Sequence, residues 1–237
     1  MRILSIDSAT EAATCSVIED DKLLGEITFN YKKQHSVILM TIIDNLLKNI
    51  NKTINDIDGF VVSKGPGSFT GLRIGMATIK GLSQGTNKPF VNISSLDALA
   101  YNLAYTDGII CPILNALRGN VYTALYSFNN NKLERLTDYM VISLEELLSL
   151  LKEKNTSVTF IGDGVPLFKD SIKLSIPNVK FAPTSLNLVK ASALAELGLE
   201  KLLEGEYDDL YTSAPIYIRK SQAEREYEKR TGKDIND

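Results

Sequence analysis

The stretch Gly65-Pro66-Gly67-Ser68-Phe69-Thr70-Gly71-Leu72-Arg73-Ile74-Gly75 marks a sharp turn between a strand and a helix. The apolar run Gly59–Ser63 before it predicts a buried strand, and a helical pattern follows from about Thr70 to Gln84. In α/β proteins a turn of this kind lies where ligands bind. The turn is therefore the first candidate functional segment, and its candidate residues are Gly65, Gly67, Ser68, Thr70 and Gly71.

Two interpretations of this turn remain open. Exposed N–H groups at the start of a helix favour an anion, and closely spaced glycines let the backbone bend sharply. However, a Walker loop needs Lys-Ser or Lys-Thr after its last glycine, and a dinucleotide fingerprint needs a third glycine where Thr70 stands. The alternative is a tight turn that packs a strand against a helix and binds no ligand.

The helix after the turn has two sides that can be buried. Projected at 100° per residue, one stripe combines large apolar side chains with a serine: Leu72, Met76, Ile79 and Ser83. The other side carries three glycines among larger residues: Gly71, Gly75, Gly81, Ile74, Thr78 and Leu82. Because glycines permit close approach, we expect this second side to face the helix's own sheet. The first stripe then faces either another domain of this chain or another protein.

A second helix is predicted from Ser36, as its N-cap, to about Ile50. Nine of the residues from Val37 to Ile50 are apolar and cover roughly 200° of arc, where a helix on one core needs little more than 100°. Two successive helices with surplus apolar surface favour docking on a partner. The predicted partner interface draws on both helices: Val37, Ile38, Met40, Leu72, Met76, Ile79 and Ser83.

Composition argues against several classes of function. The 237 residues are 44% hydrophobic and 23% charged, as in an ordinary soluble protein. A single histidine, His35, and two cysteines without metal-ligand spacing argue against a metal site. A net charge of −3 disfavours independent binding of nucleic acid. No apolar run approaches the ~20 residues of a membrane span, and the N-terminus shows no signal peptide. We therefore expect a cytoplasmic protein with no membrane association.

Two turns carry polar groups that could bind a ligand. The segment from Arg2 to Phe29 predicts three antiparallel strands, and its first turn holds an acid and two hydroxyls: Asp7, Ser8 and Thr10. In actin-like ATPases such a hairpin wraps nucleotide phosphates, whereas the alternative is that these side chains cap their own turn. Farther on, Gly162-Asp163-Gly164 either borders an adenosine pocket or forms a plain turn near a helix N-terminus.

The second half of the chain repeats the order of elements of the first. Strand patterns at Ile113–Ala116, Val121–Tyr126 and Lys132–Leu136 retrace the first three strands, and a helix from Ser143 to Lys154 follows. Such duplication predicts an α/β protein with a duplicated actin-like or ribonuclease-H-like (ASKHA) fold and two mixed-sheet domains. The halves differ where chemistry is expected, because Asn115 stands where the first half has Asp7.

The predicted domains are residues 1–106, which carry the partner-binding helices, and residues 107–219. Within the second domain, Pro215–Arg219 is predicted as a short edge strand, the position to which proline is confined. Residues 220–237 are rich in charges of both signs and nearly free of large apolar side chains, so we predict a flexible tail.

Several motifs occur together: the glycine stretch from Gly65, Ile3-Leu4-Ser5-Ile6-Asp7-Ser8-Ala9-Thr10, His35-Ser36, Ser94-Ser95-Leu96-Asp97-Ala98-Leu99-Ala100 and Gly119-Asn120-Val121-Tyr122. In combination they closely resemble the bacterial TsaB family, formerly YeaZ. The match runs through about the first 130 residues, and Gly162-Asp163-Gly164 and Pro215–Arg219 agree further on. Thr41 and Asn115-Ala116-Leu117 depart from the family's pattern.

The resemblance implies a protein that takes part in forming N6-threonylcarbamoyladenosine at adenosine 37 of transfer RNAs that read codons beginning with A. In that family the paralogue TsaD is the catalyst and the ATPase TsaE joins the assembly. TsaB is the non-catalytic partner of TsaD and forms homodimers when alone. No catalytic residue, metal or cofactor is therefore expected in the isolated chain, tRNA is met only through the complex, and ATP or ADP at the complex interface stays open.

Two alternatives are kept. The first is an actin-like ATPase or kinase that uses Asp7, Ser8 and Thr10 around a nucleotide, which the amide at Asn115 disfavours. The second is a protease that acts on its paralogue, for which the sequence offers no visible pair of nucleophile and base.

Overall fold

The structure, a computed structural model, describes residues 1–31, 35–154 and 156–219, together with 227, 230 and 231. Within these residues the chain forms two mixed β-sheets and six α-helices. They stack in five layers, in the order helix, sheet, helix, sheet, helix. Each sheet therefore buries an apolar face on both sides, which gives an outer core in each half and a shared core between the sheets.

The first sheet has five strands: β1 (Arg2–Asp7), β2 (Ala13–Glu19), β3 (Lys22–Phe29), β4 (Gly59–Ser63) and β5 (Phe90–Ile93). Their order is β3-β2-β1-β4-β5. The first three strands form an antiparallel meander, whereas β4 and β5 run parallel to β1. The outer face is covered by two helices, α1 (His35–Asn49) and α2 (Phe69–Thr86). A third helix, α3 (Ser95–Tyr101), follows β5.

The second sheet repeats this order with seven strands: β6 (Ile109–Asn115), β7 (Asn120–Thr123), β8 (Tyr126–Asn129), β9 (Lys132–Arg135), β10 (Met140–Ser143), β11 (Val158–Ile161) and β12 (Lys180–Phe181). The path β10-β7-β6-β11-β12 matches β3-β2-β1-β4-β5 of the first sheet. Two helices, α4 (Leu144–Lys152) and α5 (Val165–Ser175), cover its outer face. The duplicated order of elements is therefore present in both halves.

One strand assignment was wrong. The prediction made Val121–Tyr126 one strand and Lys132–Leu136 the third strand of the second sheet. Instead the chain breaks after β7, and β8 and β9 form an additional hairpin beside β6. The third position belongs to β10, whose Val141 pairs with Tyr122. A continuous run of strand-forming residues concealed this break.

Helices α3 and α6 (Ala191–Leu203) form the layer between the sheets. Although α6 comes late in the chain, it packs against β1, β2, β4 and β5 of the first sheet. Residues from both sheets, such as Val61 and Ile110, join these helices in the shared core. One helix of the predicted domain 107–219 therefore completes the core of the first half.

Five of the seven predicted interface residues are buried within the chain: Ile38, Leu72, Met76, Ile79 and Ser83. The prediction that they face a partner is wrong, because both predicted stripes of α2 lie largely inside the fold. Gly71 and Gly75 of the glycine side pack against the β1–β2 turn, as expected for the side that faces the helix's own sheet. The larger side chains fill the space over the first sheet, whereas Ala77 and Gly81 are exposed. On α1, Val37 and Met40 are 70% and 51% exposed.

The C-terminal part of the described chain is irregular. Residues 215–219 do not form the predicted edge strand, although Ile216 N donates a hydrogen bond to Lys64 O at 2.8 Å. The predicted flexible tail, residues 220–237, lies outside the described residues except for 227, 230 and 231. In the part of the chain that the structure describes, no helix is both long enough and apolar enough to cross a membrane.

Candidate functional site

An open cleft of about 470 Å³ lies where the two halves face each other. The segments that follow the carboxyl ends of β1, β4, β6 and β11 contribute to its walls. This is the edge at which α/β sheets place ligands. Four of the predicted residues, Thr10, Gly67, Ser68 and Asp163, line the cleft together.

The turn between β1 and β2 is held together by Asp7. Its buried carboxylate accepts hydrogen bonds from Ala9 N at 3.1 Å and Thr10 Oγ1 at 2.9 Å. In the second half, Asn115 Oδ1 accepts from Leu117 N at 2.9 Å in the same pattern. An amide oxygen can cap such a turn as a carboxylate does, which explains why asparagine can stand in the second copy. These bonds favour the interpretation in which the side chains cap their own turns.

The glycine stretch packs directly against that first turn. Ser68 N donates to Ala9 O at 2.7 Å, and Ser8 Oγ donates to Gly71 O at 2.8 Å. A Cβ at Gly67 would overlap Ala9 O, and a Cβ at Gly71 would overlap Ser8 O. Glycine is needed here because two backbone segments approach each other. The geometry favours the tight-turn interpretation over an anion-binding loop.

Gly65 and Thr70 lie outside the wall of the cleft. Gly65 is buried, with a φ of 98°, and its carbonyl oxygen accepts from Ser95 N and Ser94 Oγ, each at 2.9 Å. Thr70 is exposed on the first turn of α2. The two serines of the Ser94-Ser95-Leu96 motif therefore stabilise the glycine turn through hydrogen bonds to Gly65 O.

The second turn brings a partly buried carboxylate, that of Asp163, to the opposite wall of the cleft. Gly162 N donates to Asn187 Oδ1 at 3.0 Å, and Gly164 N donates to Ile113 O at 3.1 Å. Between them, Asp163 Oδ1 accepts from Asn115 N at 2.8 Å.

The pKa of Asp163 is raised to about 6, chiefly by burial and also by the negative charges of Glu11 and Asp7. The hydrogen bond from Asn115 N acts in the opposite direction. The negative charges of Glu11 and Asp7 therefore act on the Asp163 carboxyl group across the cleft.

Replacing Asp163 with asparagine is expected to stabilise the protein near pH 7. The folded-state pKa of about 6 exceeds the unfolded value of about 4, so the folded state binds this proton more tightly. The free energy of unfolding therefore falls as the pH rises from about 4 to 6 and stays lower above that range. Asp163→Asn keeps an acceptor for Asn115 N and should raise the free energy of unfolding at pH 7 by on the order of 2 kcal/mol.

Urea unfolding at several pH values measures this effect. The variant should lose the decline in stability that the parent shows between about pH 4 and 6. Asp170→Asn, on the exposed side of α5, is a matched control that should change stability little. A variant at Asp163 that is no more stable than the parent at pH 7 would contradict the buried-charge explanation.

The other lining residues of the cleft were not among the predicted site residues, and four of them carry a charge or an aromatic ring: Glu11, Phe69, Tyr122 and Arg219. Glu11 follows Thr10 and Phe69 follows Ser68, and both of those residues were predicted. Extending each predicted turn by one residue would have included Glu11 and Phe69. Arg219 reaches the cleft by donating to Ala116 O, which lies 103 positions earlier in the chain. No local pattern in a sequence indicates a contact over that separation.

The described residues contain neither a cluster that could hold a metal ion nor an accessible cysteine. Among them, no group of three His, Cys, Asp or Glu residues is placed to hold a metal ion. Cys15 and Cys111 are buried, and burial raises the pKa of the Cys111 thiol to about 12 and that of Cys15 further. Neither thiol therefore has the thiolate character that a nucleophile needs.

Comparison with known proteins adds to this geometry. Residues 22–227 match the family model described as "TsaD: tRNA N6-adenosine threonylcarbamoyltransferase". The "tRNA threonylcarbamoyladenosine biosynthesis protein TsaB" of Bacillus subtilis (strain 168) is 36% identical over 228 residues, which cover 96% of this chain and 98% of that protein.

Two solved structures show the same fold. YeaZ from Pseudomonas aeruginosa has a TM-score of 0.76 at 20% identity and covers 92% of this chain and 100% of that chain. The activator of the 2-hydroxyisocaproyl-CoA dehydratase from Clostridium difficile, with bound ADPNP, has a TM-score of 0.51 at 13% identity and covers 88% of this chain and 98% of that chain. The predicted two-sheet actin-like fold class is thereby confirmed.

Proposed function

Because this chain belongs to the TsaB family of tRNA threonylcarbamoyladenosine biosynthesis proteins, within the wider group described by the TsaD family model, we propose that it is a non-catalytic scaffold subunit. It is required for forming N6-threonylcarbamoyladenosine at adenosine 37 of tRNAs that read codons beginning with A. It dimerises with a TsaD-like enzyme and supports a TsaE-like ATPase. It forms homodimers when alone and meets tRNA only through the complex.

The observation that carries the proposal is the exposed surface of the outer helices. On α1, Val37 and Met40 expose large apolar side chains to solvent. On α2, Ala77 and Gly81 are exposed, and a Cβ at Gly81 would have no neighbour within 4 Å. We call these four residues the outer helical face. Large apolar side chains exposed on one helix, together with small residues exposed on the next, allow another helix to approach closely.

The hydrogen bonds made by the Ser8 and Thr10 hydroxyl groups support a non-catalytic role. Ser8 Oγ donates to Gly71 O, and Thr10 Oγ1 donates to the carboxylate of Asp7. Both hydroxyls are therefore used in holding the turn beside the cleft. A scaffold needs a fixed surface and no activated nucleophile, which agrees with side chains that stabilise backbone turns.

Reconstitution tests the proposed role directly. A mixture of this chain, a TsaD-like enzyme, a TsaE-like ATPase and tRNA should form the modified adenosine, and omission of this chain should abolish product. Omission of the TsaD-like enzyme should also abolish product, because that subunit supplies the chemistry. Product formed by this chain without the TsaD-like enzyme would contradict the scaffold role.

Nucleotide binding separates the scaffold from an actin-like ATPase. In the scaffold proposal the isolated chain binds no cofactor. Titration calorimetry of the isolated chain with ATP and magnesium should therefore give no heat of binding. Tight binding with turnover would instead favour the ATPase.

Replacing Met40 with aspartate should weaken pairing with the TsaD-like enzyme by at least about a hundredfold. A contact that buries an unpaired carboxylate costs several kcal/mol, whereas the methionine side chain contributes apolar area. Because Met40 is half exposed in the free chain, the fold should be retained. Analytical ultracentrifugation measures the pairing constant.

Leu167→Asp is the control, since Leu167 is 61% exposed on α5 in the other half. An unchanged constant for the Met40 variant would contradict this placement of the interface.

A further inference from the structure

Residues 206–219 follow α6 and cross the first half as an irregular strap. Asp208 N donates to Phe90 O at 2.9 Å, and Asn92 N donates to the Asp208 carboxylate at 2.7 Å. Farther along, Lys80 Nζ donates to Ser213 O at 2.6 Å. The strap is therefore attached both to the edge strand β5 and to the helix α2.

The end of the strap connects α2 to the cleft. The ring of Tyr217 stacks on Phe69, with 4.8 Å between the ring centroids and 5° between their planes. Arg73 Nε donates to the Tyr217 hydroxyl at 3.1 Å. Ile218 then packs against the shared core, and the Arg219 guanidinium donates to Ala116 O. Three consecutive residues thus reach from the first turn of α2 to the opposite wall of the cleft.

We propose that Tyr217 and Arg219 are positioning residues for partner binding, which hold the first turn of α2 against the second half of the protein. This inference rests on the proposed scaffold function and deepens it. A partner that docks on the outer helical face meets a helix whose position the strap determines. Loosening the strap then weakens docking by adding the cost of ordering the helix, although Arg219 lies in the cleft and away from that face.

The test compares alanine variants with conservative variants in the full chain. Tyr217→Phe keeps the ring that stacks on Phe69 and loses only the exposed hydrogen bond from Arg73, which contributes little in water. Arg219→Lys keeps a cationic donor, so both variants should behave almost as the parent. Tyr217→Ala and Arg219→Ala should each weaken binding of the TsaD-like enzyme about tenfold, within the usual range of coupling between sites. The double alanine variant should be little weaker than either single variant, because both residues act through one connection.

Hydrogen exchange of the free chain supplies a readout that needs no partner. Amides in the first turn of α2 and in residues 115–119 should exchange about tenfold faster in both alanine variants, with the conservative variants unchanged. Thermal melting of each variant should show that the fold is retained.

Three results would overturn the inference. If exchange in the first turn of α2 is unchanged in both alanine variants, the strap does not hold that helix. If exchange rises but the partner binds as before, while Met40→Asp still weakens pairing, the scaffold stands and the positioning role is wrong. If Met40→Asp also leaves pairing unchanged, the scaffold surface itself is wrong and the positioning role fails with it.

Discussion

Replacing Gly71 with alanine is expected to lower the free energy of unfolding by about 3 kcal/mol or more. The new Cβ would overlap the carbonyl oxygen of Ser8, which belongs to the backbone of the β1–β2 turn. That turn cannot easily retreat, because Ser8 Oγ donates to Gly71 O and the Asp7 carboxylate holds the turn from within. In a chain of this size the melting temperature should fall by roughly 10 °C, as measured by circular dichroism.

Gly81→Ala is the matched control for this change. It makes the same substitution in the same helix, but a Cβ at Gly81 would have no neighbouring atom within 4 Å. Alanine should therefore stabilise the isolated chain by about 0.5–1 kcal/mol, because it has the higher helix propensity. If Gly71→Ala raised the melting temperature as Gly81→Ala does, close approach of the backbones would not be the reason for glycine at position 71.

The order of elements was predictable because its signals are local and occur twice. Apolar runs that end at turn residues locate β1 and β4, and the second half repeats the pattern around β6 and β11. The capping role of Asp7 was also among the open interpretations, since an acid beside a tight turn can accept hydrogen bonds from its own backbone. The same bond at Asn115 in the second half follows from that rule.

The orientation of α2 could not be predicted from its periodicity. Both predicted stripes lie largely inside the fold, and the exposed ridge runs through Arg73, Ala77 and Gly81, of which only Gly81 belongs to a predicted stripe. The glycines gave a divided signal, because Gly71 contacts the backbone of the β1–β2 turn while Gly81 faces open space. The contact between Arg219 and Ala116 is likewise a product of the tertiary fold and leaves no local trace in the sequence.

Replacing Ile79 with aspartate is expected to unfold the first half of the protein. Ile79 is 0% exposed and belongs to an apolar cluster with residues of β1, β4 and α1. A carboxylate at this position would lose its hydration among apolar side chains, which should cost at least about 4 kcal/mol in the free energy of unfolding. Thermal melting and urea unfolding of the isolated chain measure this loss.

The Met40→Asp variant introduces the same carboxylate on the solvent-exposed side of the outer helices, whereas Ile79→Asp introduces it in the core. There the new charge stays in water when the chain is alone, so the melting temperature should remain within about 2 °C of the parent and only pairing should weaken. A loss of pairing in Ile79→Asp would follow from unfolding and says nothing about the interface. If instead Ile79→Asp melted like the parent, position 79 would be accessible to solvent, and the stripe of α2 that contains it would again be a candidate for partner contact.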